Sequence, residues 1–91
     1  MKPKITIIFC NQCNWMLRAA WMAQEILSTF GTDLEEVSLS PCGGGIYEIW
    51  LDDQLLFSRK EENRFPEAKE IKQKIRDVIA PERSLGHSDS N

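Results

Sequence analysis

Apolar and polar positions along this chain fall into six blocks of different period. Residues 4–9 (KITIIF) form an unbroken β-branched, apolar run, the pattern of a strand covered on both faces. From about residue 14 to residue 30 there is no Gly or Pro, Ala, Leu, Met and Gln abound, and Gly31 follows, which predicts a helix closed by a C-terminal glycine. Residues 34–39 (LEEVSL) read as a short strand whose two glutamates suit a sheet edge, where charge discourages pairing with other chains. Residues 40–45 (SPCGGG) read as a loop, and residues 46–51 (IYEIWL) and 54–59 (QLLFSR) flank Asp52 and Asp53 as the arms of a tight hairpin. Pro66 opens a second helix with Ala68, Ile71, Ile75, Val78 and Ile79 on one stripe and Lys, Arg and Glu opposite; Pro81 ends it.

The predicted order is β-α-β-β-β-α. Strand, crossover helix and second strand should close a right-handed parallel unit, and the hairpin then adds two antiparallel strands. Both helices need a sheet face to cover. The expected architecture is an α/β (α+β), minimal thioredoxin-like fold: a four-stranded mixed sheet of order 2-1-3-4 with two helices. Residues 1–80 would make this domain, and residues 81–91 a polar, mobile C-terminal tail.

Composition narrows the function classes. Ninety-one residues with 42% hydrophobic content suffice for one domain with an ordinary core. A net charge of −3 argues against a general nucleic-acid binder, which needs a basic face to displace counterions from phosphates. The apolar run in the opening MKPKITIIF is too short for a signal peptide or a membrane span. Three cysteines are an odd number for a secreted disulfide framework, so a cytoplasmic location is expected, where a Cys-x-x-Cys is more often catalytic or metal-binding than structural.

Cys10 and Cys13 stand where the first strand gives way to the first helix, at the carboxyl end of the central strand, the place where open α/β sheets put their chemistry. Three roles compete. A structural staple closing so short a loop removes only about 2 kcal/mol of unfolded-state entropy. Zinc needs four ligands, and Cys10, Cys13, Cys42 and His87 would supply a set, although His87 belongs to the tail and no second closely spaced pair exists. A reversible dithiol switch has positive support. The helix N-terminus favours an anion by about 0.3–1 kcal/mol, less than one pKa unit, and the second thiol can add a hydrogen bond to the first. No acidic residue lies between Asn11 and Arg18 to oppose a thiolate. Reversible dithiol/disulfide chemistry is therefore favoured, with a metal-binding or redox-sensing interaction module as the alternative.

The stretches CNQCNWMLRAAWMAQEILSTF, GGGIYEIWLDDQLLFSRK, RFPEAKEIKQKIRDVIAP and the closing LGHSD together resemble the selenoprotein T, W and H (Rdx) family, and within it the bacterial selenoprotein W relatives with cysteine in place of selenocysteine. The resemblance implies a thioredoxin-like fold, redox chemistry at Cys10 and Cys13, and a cytoplasmic thiol oxidoreductase or redox-defence role with glutathione or a thiol/disulfide protein as partner. No other cofactor is implied. Thioredoxin geometry would make Cys10 the exposed attacker, with Cys13 in the first helical turn; in the selenium-containing relatives selenocysteine occupies the position of Cys13. The order of attack stays open.

Further residues carry a bland and a sharp reading each. Cys42 departs from the family's usual small polar residue; it is either a small loop residue or an auxiliary thiol. Leu17 and Trp21 fall inside the polar arc of the first helix, either covered by a neighbouring segment or forming an apolar docking surface for a partner or a homodimer. Arg59, Lys60 and Arg64 form a solvated basic loop or attract a glutathione carboxylate. The methionines and remaining aromatic residues are expected in the core.

Overall fold

In a computed structural model, which describes residues 1–86, the chain forms β1 (Lys4–Cys10), α1 (Met16–Phe30), β2 (Glu36–Cys42), β3 (Tyr47–Leu51), β4 (Gln54–Ser58), α2 (Arg59–Glu62) and α3 (Ala68–Ile79), with a 3₁₀ turn at Gly31–Asp33. The sheet has the order β2-β1-β3-β4. β1 pairs parallel with β2 and antiparallel with β3, and β3 pairs antiparallel with β4. This is the expected mixed thioredoxin-like topology, with α2 as an addition.

One face of the sheet carries the core, which corrects the expectation of a first strand covered equally on both faces. Ile5, Ile7 and Phe9 of β1 alternate with more accessible Thr6 and Ile8, and they align with buried Leu51, Ile49 and Tyr47 of β3. Against this layer pack Ala19, Met22, Ala23, Ile26 and Phe30 of α1 and Ile71 and Ile75 of α3. The hairpin closes at Asp52, whose φ of 50° is tolerated by Asp, and its carboxylate accepts the Lys4 N–H at 3.0 Å, tying the turn to the start of β1. No helix among the described residues is long and apolar enough to cross a membrane.

The structure corrects several boundaries, each for a local reason. β2 runs through Ser40 and Pro41 to Cys42 instead of stopping at Leu39. Cys42 faces β1, since its carbonyl accepts from Asn11 N–H at 2.9 Å; its neighbour Pro41 therefore points its missing N–H at the open sheet edge, where no donor is needed. α1 begins at Met16 because Asn14 adopts a left-handed φ of 62°. Cys13 consequently lies in the turn before the helix and not in its first turn. β4 stops at Ser58, whose hydroxyl accepts from Glu61 N–H at 3.4 Å and starts α2, and Asn63 ends that turn in the left-handed region. α3 starts at Ala68 after the buried Pro66; Val78, at 43% exposure, leaves the apolar stripe. Met16, at 47%, is on the surface and not in the core.

The described residues beyond α3 return to the body. Leu85 packs against the core, and Arg83 donates to Asp33 at 2.6 Å. That hydrogen bond holds the Asp33 carboxyl below its ordinary pKa.

Two substitutions weigh core against surface. Ile7 is fully buried, so Ile7→Ala should cost about 2–5 kcal/mol by urea unfolding. Leu17→Ser, at a position 76% exposed, should stay within about 0.5 kcal/mol of the parent.

Candidate redox site

β1 delivers Cys10 to a position fixed from both sides. Its N–H donates to Ile46 O at 2.7 Å, and the next N–H, of Asn11, donates to Cys42 O. Asn11 to Trp15 then fold into a turn. Asn14 N–H donates to Asn11 O at 3.1 Å, and Trp15 N–H reaches back to Cys10 O at 3.4 Å. This turn draws the sulfurs of Cys10 and Cys13 close to disulfide distance, with Cα atoms 5.3 Å apart, inside the range that a disulfide bridges.

The two cysteines differ in access. Cys10 is 1% exposed, whereas Cys13 is only partly buried. That reverses the arrangement expected from thioredoxin geometry, in which the first cysteine is the accessible one. The reason is local: Cys10 is the last residue of a central strand with neighbours on both sides, and Cys13 rides on the outward turn. The N-terminus of α1 carries no side-chain cap and no acidic residue in its first turn, so its free N–H groups and dipole favour negative charge next to that turn.

Cys42 is the third thiol and stands opposite Cys10 in the β1–β2 register. It is partly buried, with its Sγ directed at Gly43 O at 3.5 Å. The two loops are neighbours here: a Cβ built on Gly43 would meet Gln12 Oε1, in the middle of the Cys-x-x-Cys turn, at 3.4 Å. Among the described residues no three His, Cys, Asp or Glu side chains are placed to hold a metal ion, and His87 lies outside the described residues.

Immediately after the thiol turn lies an aromatic cluster that sequence reasoning missed. Trp15, Tyr47 and Phe65 meet edge to face, with ring centroids 4.9 Å apart for Trp15–Phe65 and 5.4 Å for Tyr47–Phe65. The Arg18 guanidinium lies 4.0 Å from the Phe65 centroid, and that of Arg59 lies 4.8 Å from Phe65 and 5.0 Å from Trp15. The basic loop therefore divides. Arg59 covers these rings, while Arg64 grips the Glu70 carboxylate through both terminal nitrogens. Residues from four separate segments build this cluster, so no local period announces it.

Leu17 and Trp21 stay on the surface, at 76% and 49% exposure; no described segment covers Leu17. One side of Trp21 lines a small cleft with Arg18, Met22, Tyr47, Phe65 and Pro66.

The chain as a whole has counterparts among known proteins. A model of the Rdx family matches residues 4–77. The chain belongs to the Rdx family. Among solved structures, this Rdx chain is similar to a Bordetella parapertussis protein, 53% identical, with a TM-score of 0.83 over 85% of this chain and 98% of that one. It is also similar to the selenoprotein W-related protein of Vibrio cholerae, 49% identical, with a TM-score of 0.84 over 87% of this chain and 99% of that one. No curated protein matches the chain.

Tyr47 reports on the packing beneath the site, because it is the chain's only tyrosine. Burial, opposed by Arg18, pushes its pKa up to about 12 from an ordinary 10.0. The folded state then holds this proton across a pH range in which the unfolded chain has lost it, so stability is intact below about pH 10 and falls as pH rises toward 12. Ultraviolet titration of the phenol should give a midpoint near 12 in the folded protein; a midpoint near 10.0 would mean that the ring is not buried as described.

Proposed function

We propose that this Rdx protein is a thiol–disulfide oxidoreductase in which Cys13 attacks and Cys10 resolves. The observation that carries this reading is the difference in access between two sulfurs close to disulfide distance: Cys13 partly exposed, Cys10 sealed. A substrate disulfide, as a bulky external partner, reaches Cys13 alone. Cys10 is reachable only from inside the protein.

In the reducing direction the Cys13 thiolate attacks one sulfur of a substrate disulfide, and the other substrate sulfur leaves as a thiolate. Cys10 then loses its proton and attacks Cys13 Sγ; the mixed disulfide breaks, and the second substrate thiolate departs. Two electrons have passed from the Cys10–Cys13 pair to the substrate, and the reverse sequence oxidises a substrate dithiol. The uncapped start of α1 favours the thiolate that opens the sequence. Without an acidic residue in that first turn, nothing in the turn opposes it.

The partner is glutathione or a thiol/disulfide protein, and the protein works in the cytoplasm, where a reversible pair and a third unpaired thiol are kept from permanent oxidation. The exposed Leu17 and Trp21, one and two helical turns beyond the thiol turn, offer an apolar rest for a protein substrate held through Cys13. The metal-binding alternative has less behind it, since zinc needs a converging ligand set and no three such side chains converge among the described residues.

Trapping decides the order of attack. Cys10→Ser treated with glutathione disulfide should accumulate a stable glutathione adduct on Cys13, mapped by peptide mass spectrometry, whereas the parent resolves its adduct to the internal disulfide. An adduct on Cys10 in Cys13→Ser, with none on Cys13 in Cys10→Ser, would reverse the assignment. Absence of any adduct or disulfide in parent and variants alike would remove the oxidoreductase reading.

A further inference from the structure

Cys42 sits where a second bond to Cys10 can form. The two are register partners on adjacent parallel strands, and Asn11 N–H to Cys42 O fixes that alignment at 2.9 Å. Neighbouring strands lie about 4.8 Å apart, so partner Cα atoms fall inside the 4.4–6.8 Å that disulfides span. Register partners also project their side chains to the same face of the sheet. The remaining closure, bringing the Cβ atoms nearer, falls on the end of β2, which is an edge strand followed by three glycines. Two of those glycines, Gly44 and Gly45, already occupy φ of 70°, a conformation open to glycine at little cost.

The surroundings leave the thiol uncommitted. Its one hydrogen bond is the long contact to the adjacent Gly43 carbonyl, and a rotation about Cα–Cβ releases it. The Cys-x-x-Cys turn and the end of β2 are already joined by the Asn11 N–H to Cys42 O hydrogen bond, and Gln12 lies near enough to Gly43 that a Cβ built there would meet its Oε1 at 3.4 Å.

We propose that Cys42 is a second disulfide partner for Cys10, so that the oxidised bond migrates between Cys10–Cys13 and Cys10–Cys42. The proposal rests on the redox reading of the pair. Cys42 gives up its proton to solvent, and its thiolate attacks Cys10 Sγ. The Cys10–Cys42 bond forms, the Cys10–Cys13 bond breaks, and Cys13 leaves as a thiolate. One disulfide is exchanged for another, so no outside oxidant or reductant takes part. The consequence is chemical: the accessible nucleophile Cys13 is regenerated while the oxidising equivalent stays stored at the sealed Cys10. An oxidised molecule can then attack a second partner.

The test removes Cys13 and asks whether Cys10 still finds a mate. Full-length Cys13→Ser and Cys13→Ala are reduced, oxidised with diamide at low protein concentration, quenched in acid, denatured and alkylated. The expected result is loss of both remaining thiols within the monomer, with the peptides containing Cys10 and Cys42 joined. The parent under the same treatment should lose two of its three thiols. Two alkylatable thiols in both variants, or disulfides only between molecules, would overturn the Cys42 proposal while a parent disulfide keeps the pair's own reading intact. A parent that retains all three thiols would overturn the redox reading itself.

Discussion

The end of β1 is held by two backbone hydrogen bonds that run in opposite directions. Cys10 N–H reaches across to the segment before β3, and Asn11 N–H reaches across to β2. They leave the last residue of the strand no freedom to move toward solvent, and they make every later element of the site depend on where the chain can go next. The chain turns back through a left-handed Asn14, which lifts Cys13 outward and over Cys10. The same pair of bonds sets Cys42 beside Cys10 from the other strand. Burial of one sulfur, partial exposure of the second and alignment of the third are three results of one constraint.

That constraint is backed by packing on the opposite face. Ile5, Ile7 and Phe9 are sealed between β3 and the helices, and the aromatic cluster of Trp15, Tyr47 and Phe65 anchors the chain where it leaves the thiol turn. Arg18 and Arg59 lie over those rings, so two cations stand near the start of α1 with aromatic faces as their partners. A rigid strand end, a stapled turn and an anchored helix start give the pair a defined geometry, on which reversible disulfide exchange depends.

The sheet order was legible because burial dictates it. An apolar run marks β1 as central, although its burial alternates and the core lies on its Ile5, Ile7 and Phe9 face instead of on both; two glutamates mark β2 as an edge, and Gly31 and Pro81 punctuate the helices. The Cys-x-x-Cys spacing named the pair. What the sequence hid has physical causes. Proline reads as a strand breaker, yet at the outer edge of β2 its missing donor faces nothing, so the strand continues to Cys42 and brings the third thiol into register. Asn14 looked like a helix residue, and only its left-handed conformation shows why Cys13 is in a turn. The four-residue α2 is too short to carry a period. The access order of the two thiols depends on which one ends a central strand, a tertiary fact that motif spacing cannot express.

The central claim is that Cys10 and Cys13 exchange electrons reversibly as one pair. Equilibrating the full chain against graded ratios of reduced to oxidised glutathione, with acid quench and thiol mapping at each ratio, tests it most directly. The account predicts a two-electron transition that is the same from either starting state, with Cys10 oxidised throughout the disulfide form and Cys13 its partner in the majority species. Cys10 and Cys13 remaining free thiols at every ratio, or a transition that cannot be retraced, would contradict it.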